Sequence, residues 1–301
     1  MIAADALLRW YAAHGRRHLP WRHTRDPYRI LVSEVMLQQT QVERVIPLYH
    51  AFLARFPDLP ALARADAGDV VRAWRGLGYN SRAVRLHALA RAVVVRHGGV
   101  LPSDAQALLA LPGIGAYTAA ALRAFAFEHD DAAADVNLRR VAHRVAYGVE
   151  HPPAASDREL DALLRDAVPA GDAHDWNSAL MDLGATLCTA RAPKCLVCPL
   201  RETCAAAPVD PAQLSELARA HARRKPPQSA LPFERTTRFL RGRIIDRLRD
   251  APPLAFVALA TLTEQLREDV AVDRLVEIPA VLDALERDGI VTRDTRGVRL
   301  R

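Results

Sequence analysis

Along most of the chain, apolar residues recur every three or four positions, the spacing of one buried face on an α-helix. Leu7, Leu8 and Tyr11 mark such a face in Ala3–His14, and Ile30, Leu31, Val35, Met36 and Leu37 mark another in Tyr28–Thr40. The same spacing predicts helices over Gln41–Phe56, Asp66–Trp74, Ser81–His97, Ala116–Phe127, Val136–Tyr147, Asp157–Val168 and Asp175–Leu187. No stretch up to Cys204 alternates with the two-residue period of a strand, so this part reads as all-α. Beyond it, residues 205–233 are rich in Ala, Pro and Arg and read as a linker. Helices are then expected at Glu234–Arg249, Leu259–Glu268 and Leu275–Asp288, followed by a hairpin of Ile290–Asp294 and Gly297–Leu300. That order predicts a small winged-helix-like domain over 234–301, a module that binds DNA or proteins.

Two glycine turns interrupt the helical pattern. Gly76-Leu77-Gly78-Tyr79-Asn80 presents an aromatic ring that would serve as a wedge or stacking platform, or pack under its own loop. In Leu111-Pro112-Gly113-Ile114-Gly115, both glycines are expected to permit positive φ angles just before a helix. The N–H groups at that helix start would hold a phosphate, or the turn is a plain connection. Asp135 opens the next helix, which fixes its carboxylate in space. Glu34 lies inside an apolar run. Burial there would disfavour its charged form, as a general acid at neutral pH requires; a glutamate on an exposed helix edge is the plainer reading. Gln38-Gln39-Thr40-Gln41 offers uncharged hydrogen-bonding groups that read base edges or cap a helix, and Trp21 and Arg22 close a basic loop.

Charge and cysteine usage narrow the class. The 301 residues suffice for two or three domains, and the net charge of +6 suits a polyanion such as nucleic acid. Lys194 and Lys225 are the only lysines. Neither a secretory leader nor a membrane-spanning run is apparent, so a cytoplasmic location is expected. Cys188, Cys195, Cys198 and Cys204 are spaced Cys-x6-Cys-x2-Cys-x5-Cys within 17 residues. In a reducing compartment such a set reads as metal ligands, for a zinc ion or an iron–sulfur cluster; spacing does not choose between them.

Taken together, five motifs resemble one family. Ser33–Gln41, Gly76–Tyr79, Leu111–Gly115, Asp135-Val136-Asn137 and the cysteine block occur in the order found in helix-hairpin-helix DNA glycosylases related to endonuclease III, with the MutY-type adenine glycosylases the best-matching branch. The resemblance implies a helix-hairpin-helix DNA glycosylase fold: a six-helix domain over 22–131 and an iron–sulfur domain from 1–21 and 132–204, with a [4Fe–4S] cluster on the four cysteines. It implies double-stranded DNA containing mismatched adenine as partner and a nucleoid-associated monomer. By position, Glu34 would protonate the adenine, Asp135 would stabilise the oxocarbenium-like sugar, and Asn137 would support the water or the acid. Gln38, Gln39, Thr40 and Tyr79 would meet the duplex at the lesion, Gly113 and Gly115 the phosphate backbone, and Trp21 and Arg22 the base pocket. Tyr117 stands where strand-cleaving members carry a Schiff-base lysine, so the expected product is an abasic site.

Three departures leave the substrate open. Val136 replaces a usual glycine, Ser178 stands where adenine glycosylases often have Gln or Glu, and the C-terminal residues look too short and too helical for a Nudix-like domain. A mismatch thymine or uracil glycosylase and a non-catalytic DNA-binding regulator are the alternatives.

Overall fold

The computed structural model describes residues 2–221 and 231–301; residues 222–230 of the expected linker lie outside the described residues. In chain order the helices are α1 (Ala4–His14), α2 (Pro27–Leu37), α3 (Val42–Arg55), α4 (Leu59–Arg64), α5 (Ala67–Ala73), α6 (Ser81–His97), α7 (Ala105–Leu109) and α8 (Ala116–Ala126). They continue as α9 (Val136–Tyr147), α10 (Asp157–Asp166), α11 (Ala173–Thr186), α12 (Pro211–His221), α13 (Thr237–Asp250), α14 (Leu259–Leu266) and α15 (Ile278–Arg287). Strands β1 (Val291–Asp294) and β2 (Gly297–Leu300) close the chain. Many helices start where an oxygen-bearing side chain accepts a first-turn N–H: Asp58, Asp66, Asp104, Asp135, Ser156 and Thr236. Among the described residues no helix is long and apolar enough to cross a membrane.

Contacts group the chain into two units. The first comprises Met1–Leu31, Pro102–Ala110 and Ile114–Arg224. Its core joins Leu7 and Tyr11 of α1 to Leu138 and Val141 of α9, Leu160 and Leu164 of α10, and Trp176 and Leu180 of α11, with three of the cysteines packed against it. Asp182, fully buried on α11, accepts from the Arg16 backbone N–H at 2.7 Å and Nε at 2.9 Å, and pairs with Arg22 at 3.4 Å. Helix α12 lies in the stretch read as a linker: Leu214 is buried, which anchors it as a helix rather than an open tether.

The second unit comprises Val32–Leu101, Leu111–Gly113 and Lys225–Arg301. Phe52 meets Trp74 edge-on at 5.6 Å, and α4 and α5 pack on α6. The last three helices are followed by the expected hairpin, in which Val291 pairs with Leu300 and Asp294 with Gly297. Val257 adds a bridge to Val298. This module is seated on α5 and the turn before α6. Arg249 donates to the Val71 carbonyl at 2.9 Å and to Asn80 Oδ1 at 2.6 Å, while Gly68 packs against the backbone of Arg301.

Other details also differ from the sequence expectation. Of the expected six-helix domain over 22–131, residues 22–31, 102–110 and 114–131 group with the cysteine-bearing unit, and residues 234–301 group with 32–101. Helix α2 stops at Leu37, three residues early, because its last carbonyls are taken by the Arg82 guanidinium and Gln39 turns to a φ of +57°.

Candidate functional site

Asp135 is the N-cap of α9. Its Oδ1 accepts from the backbone N–H groups of Asn137 and Leu138, both at 2.8 Å, and its Oδ2 accepts from Asn137 Nδ2 at 2.9 Å. Three donors and a helix N-terminus therefore fix one carboxylate, where the helix dipole favours negative charge. Val136 is 72% exposed and leaves this arrangement undisturbed. Asn137 is held in turn: its Oδ1 accepts from Arg140 Nη2 at 2.7 Å, and Arg140 also donates to the carbonyls of Gly184 at 2.7 Å and Cys188 at 2.9 Å. A side chain at Gly184 would put its Cβ 2.6 Å from that of Asn137, so only glycine lets α11 come this close to α9.

The four cysteines line one small cavity with Arg144, Lys194 and Arg201. Burial raises the Cys188 and Cys204 thiols and pushes Cys198 up to about 11. Arg144, 1% exposed, is clamped by Glu150 through two 2.6 Å bonds, and its Nη1 reaches Cys188 Sγ at 3.6 Å. The Val209 N–H donates to Cys195 Sγ at 3.5 Å. N–H donors and a captive cation around buried sulfur suit a thiolate-bound group. Among the described residues no three Cys, His, Asp or Glu side chains stand at ion-binding distances of one another.

In the second unit, Arg82 ties together two surface turns. Its Nη1 donates to the carbonyls of Val35, Met36 and Gln38 at 2.8, 2.9 and 2.6 Å; its Nη2 donates to Thr40 Oγ1 at 3.2 Å and to the carbonyls of Leu77 and Gly78 at 2.9 and 3.2 Å. Gln39 and Tyr79 stand at the tips of these turns, with φ of +57° and +44°. Both are non-glycine residues in the left-handed region, which costs of order 1 kcal/mol or more each and persists only where the surroundings impose it. Gln38 and Gln39 are exposed, as is Tyr79 at 41%. Glu34 is buried on α2 beneath them in sequence, 8% exposed. In the hairpin, Gly113 has the expected positive φ of +85°, whereas Gly115 is extended at −100° and caps α8 with open space where a Cβ would lie. Tyr117 lines a cavity with Ala134, Arg139, Asp161 and Arg165.

Residues 32–179 match the model of the HhH-GPD superfamily base excision DNA repair proteins. The chain is 41% identical over 279 residues to the adenine DNA glycosylase of Mycolicibacterium smegmatis, covering 91% of each. It belongs to the adenine DNA glycosylase family. A thermostable thymine-DNA glycosylase superposes with a TM-score of 0.63 at 34% identity, over 67% of this chain and 93% of that one. Endonuclease III in a non-covalent DNA complex shares the fold, with a TM-score of 0.57 at 21% identity over 67% of this chain and 91% of that one.

Within this glycosylase framework, the structure brings together Asp135 with Asn137, Gln38 with Thr40 and the Tyr79 turn, and the four cysteines with one another. Trp21 is buried in a 3-10 turn, and Arg22 is spent inside the first unit on Asp182 and the face of Phe125 at 5.8 Å. Ser178 is fully buried on α11. Sequence reading passed over Arg82 and Arg140. The available signal was their placement soon after a singled-out motif: Arg82 is the second residue of α6, behind the Gly76–Asn80 turn, and Arg140 follows Asn137 by three residues on α9.

Proposed function

We propose that the chain is a monofunctional adenine DNA glycosylase that acts on double-stranded DNA in base excision repair, removing adenine mispaired with guanine or 8-oxoguanine. The observation that carries this reading is the triply held Asp135 carboxylate at the start of α9, in a chain that matches an adenine DNA glycosylase over 91% of each sequence. A base inside the stack must be turned out of the duplex before its glycosidic bond can be reached. Gln39 and Tyr79, on their strained turn tips, would enter the gap, and the open backbone at Gly115 would meet a phosphate.

In the chemical step Glu34 gives a proton to a ring nitrogen of the adenine. The C1′–N bond then breaks with its electron pair passing to the base, and Asp135 stabilises the positive sugar by charge or by a transient bond to C1′. Water adds to C1′ and returns a proton, with Asn137 supporting the water or the acid. Tyr117 offers a phenol and no amine, so no imine forms and the strand stays intact. The four thiolates would hold a [4Fe–4S] cluster, which would cross-link the loop from Cys188 to Cys204 at four points; no proton is moved through it. A monomer on nucleoid DNA completes the reading.

Single-turnover base release tests this. Duplexes would carry A opposite 8-oxoguanine, A opposite G, T opposite G and U opposite G. Release of adenine with breakage only after alkali, lost in Asp135→Asn, is the expected result. Release of thymine or uracil alone would transfer the chain to the activity of its structural neighbour, and no release from any duplex would leave a DNA-binding role without catalysis. A brown protein with broad visible absorption is expected for the cluster, and a colourless intact one would refute it.

A further inference from the structure

Helix α13 is rich in arginine, but its charges are mostly answered within its own module. Arg241 pairs with Asp288 at 2.6 Å, Arg243 with Asp246 at 2.6 Å, Arg247 with Asp269 at 2.6 Å and Arg249 with Asp246 at 3.0 Å. Among the described residues, Arg238 alone on this helix makes no ion pair. It is exposed, and its guanidinium lies over the Tyr79 ring at 4.4 Å from the centroid. Arg82 approaches the same ring at 5.7 Å. Arg238 also occupies the second position of its helix, where the dipole is unfavourable to a cation, so helix electrostatics do not account for its placement. Next in sequence, Asn80 is gripped by Arg249.

We propose that the C-terminal module positions the wedge: Arg238 and Arg249 set Tyr79 and Asn80 before DNA arrives, so that this module governs extrusion of the target base rather than binding DNA through a basic face. This rests on the function proposed above. A tyrosine that is already ordered loses less conformational freedom on entering the duplex, and a cation over its face restricts the ring to one orientation. Arg238 is thus a positioning residue acting through Tyr79.

The test uses the full chain and a duplex with 2-aminopurine beside the target adenine, followed by stopped-flow fluorescence together with single-turnover adenine release at saturating enzyme. Arg238→Ala is expected to slow the unstacking phase by about three- to tenfold, the range of one cation–π contact. Release from a duplex in which the adenine is already unpaired in a bulge should be unchanged. Arg238→Lys should recover most of the loss, since a lysine also stacks on an aromatic face. Arg249→Met should add to the defect, and circular dichroism of each variant checks the fold. The inference is overturned if Arg238→Ala unstacks at the wild-type rate. It is equally overturned if that variant only weakens binding with a shallower salt dependence, the mark of a lost phosphate contact. A wild-type chain that neither unstacks nor releases adenine would instead refute the proposed function, and is recognised because the failure lies in the unaltered protein.

Discussion

Replacing Arg82 with methionine probes how the two turns proposed to meet DNA are held. The side chains are similar in length, so the change removes the guanidinium with little loss of packing. Six acceptors lose their donor, and three of these contacts, to Val35, Met36 and Leu77, are buried from water. Hydrogen bonds from a charged donor contribute about 1.5–3 kcal/mol each, while turn carbonyls near the surface can be rehydrated. Counting only the buried three, and allowing for relaxation, the expected cost is about 3–5 kcal/mol, the usual range for breaking a buried charged network. For a unit of this size each kcal/mol lowers Tm by roughly 2–4 °C, so a fall of about 10 °C is expected by differential scanning calorimetry. Well below that temperature, loosening of the Gln39 and Tyr79 tips should slow single-turnover base release by roughly a hundredfold, as an ångström of misplacement does. Arg82→Lys keeps the charge but cannot span both turns with one ammonium, and should recover less than half of either effect. If Arg82→Met melts within about 2 °C of wild type and releases base at the wild-type rate, the guanidinium is not what holds these turns.

Three further outcomes are expected. Arg140→Met frees Asn137 from Gly184 and Cys188, and should slow base release by about one to two orders of magnitude with unchanged affinity for mismatched DNA and unchanged protein colour, measured by single-turnover kinetics and absorption. Tyr117→Lys places an amine in the hairpin helix, and should give alkali-independent strand breaks and a borohydride-trapped protein–DNA adduct where the wild type gives none. Burial, with Arg91 adding to it, holds the pKa of His87 below the ordinary histidine value. Its folded pKa lies below its unfolded one, so the stability it contributes is complete above the unfolded value and is lost as pH falls through the folded one. Tm should therefore drop from about pH 7.5 to about pH 5.5, and less steeply in His87→Gln; His174, lowered by burial as well, leaves a residual slope.

The helices whose neighbours merely cover an apolar face were legible in sequence: Ser81–His97 and Val136–Tyr147 have the bounds that periodicity and caps predict. What periodicity could not reveal is where charges end. The basic run of α13 suggests a DNA-binding face, yet most of its arginines meet carboxylates just past the ends of α14 and α15 and on its own next turn. The early end of α2 depends on Arg82, 46 residues away from Met36. Of the candidate site, the Asp135-Val136-Asn137 cap was readable because capping is local. Its onward tie through Arg140 to Gly184 and Cys188 was not, since those carbonyls come from a distant part of the chain.

The grip of Asp182 on Arg16 and Arg22 also sets an order of events during synthesis. Arg16 leaves the ribosome 166 residues before its partner, an interval of roughly 10–30 s at ordinary elongation speeds. Throughout it, Leu7 and Tyr11 of α1 have no α11 to cover them, while the whole stretch from Val32 to Leu101 emerges and can begin to pack. Helix α1 is thus made early and is among the last segments to find its place. A nascent chain halted before Asp182 would present α1 as an exposed apolar helix, the form in which chaperones take hold of it.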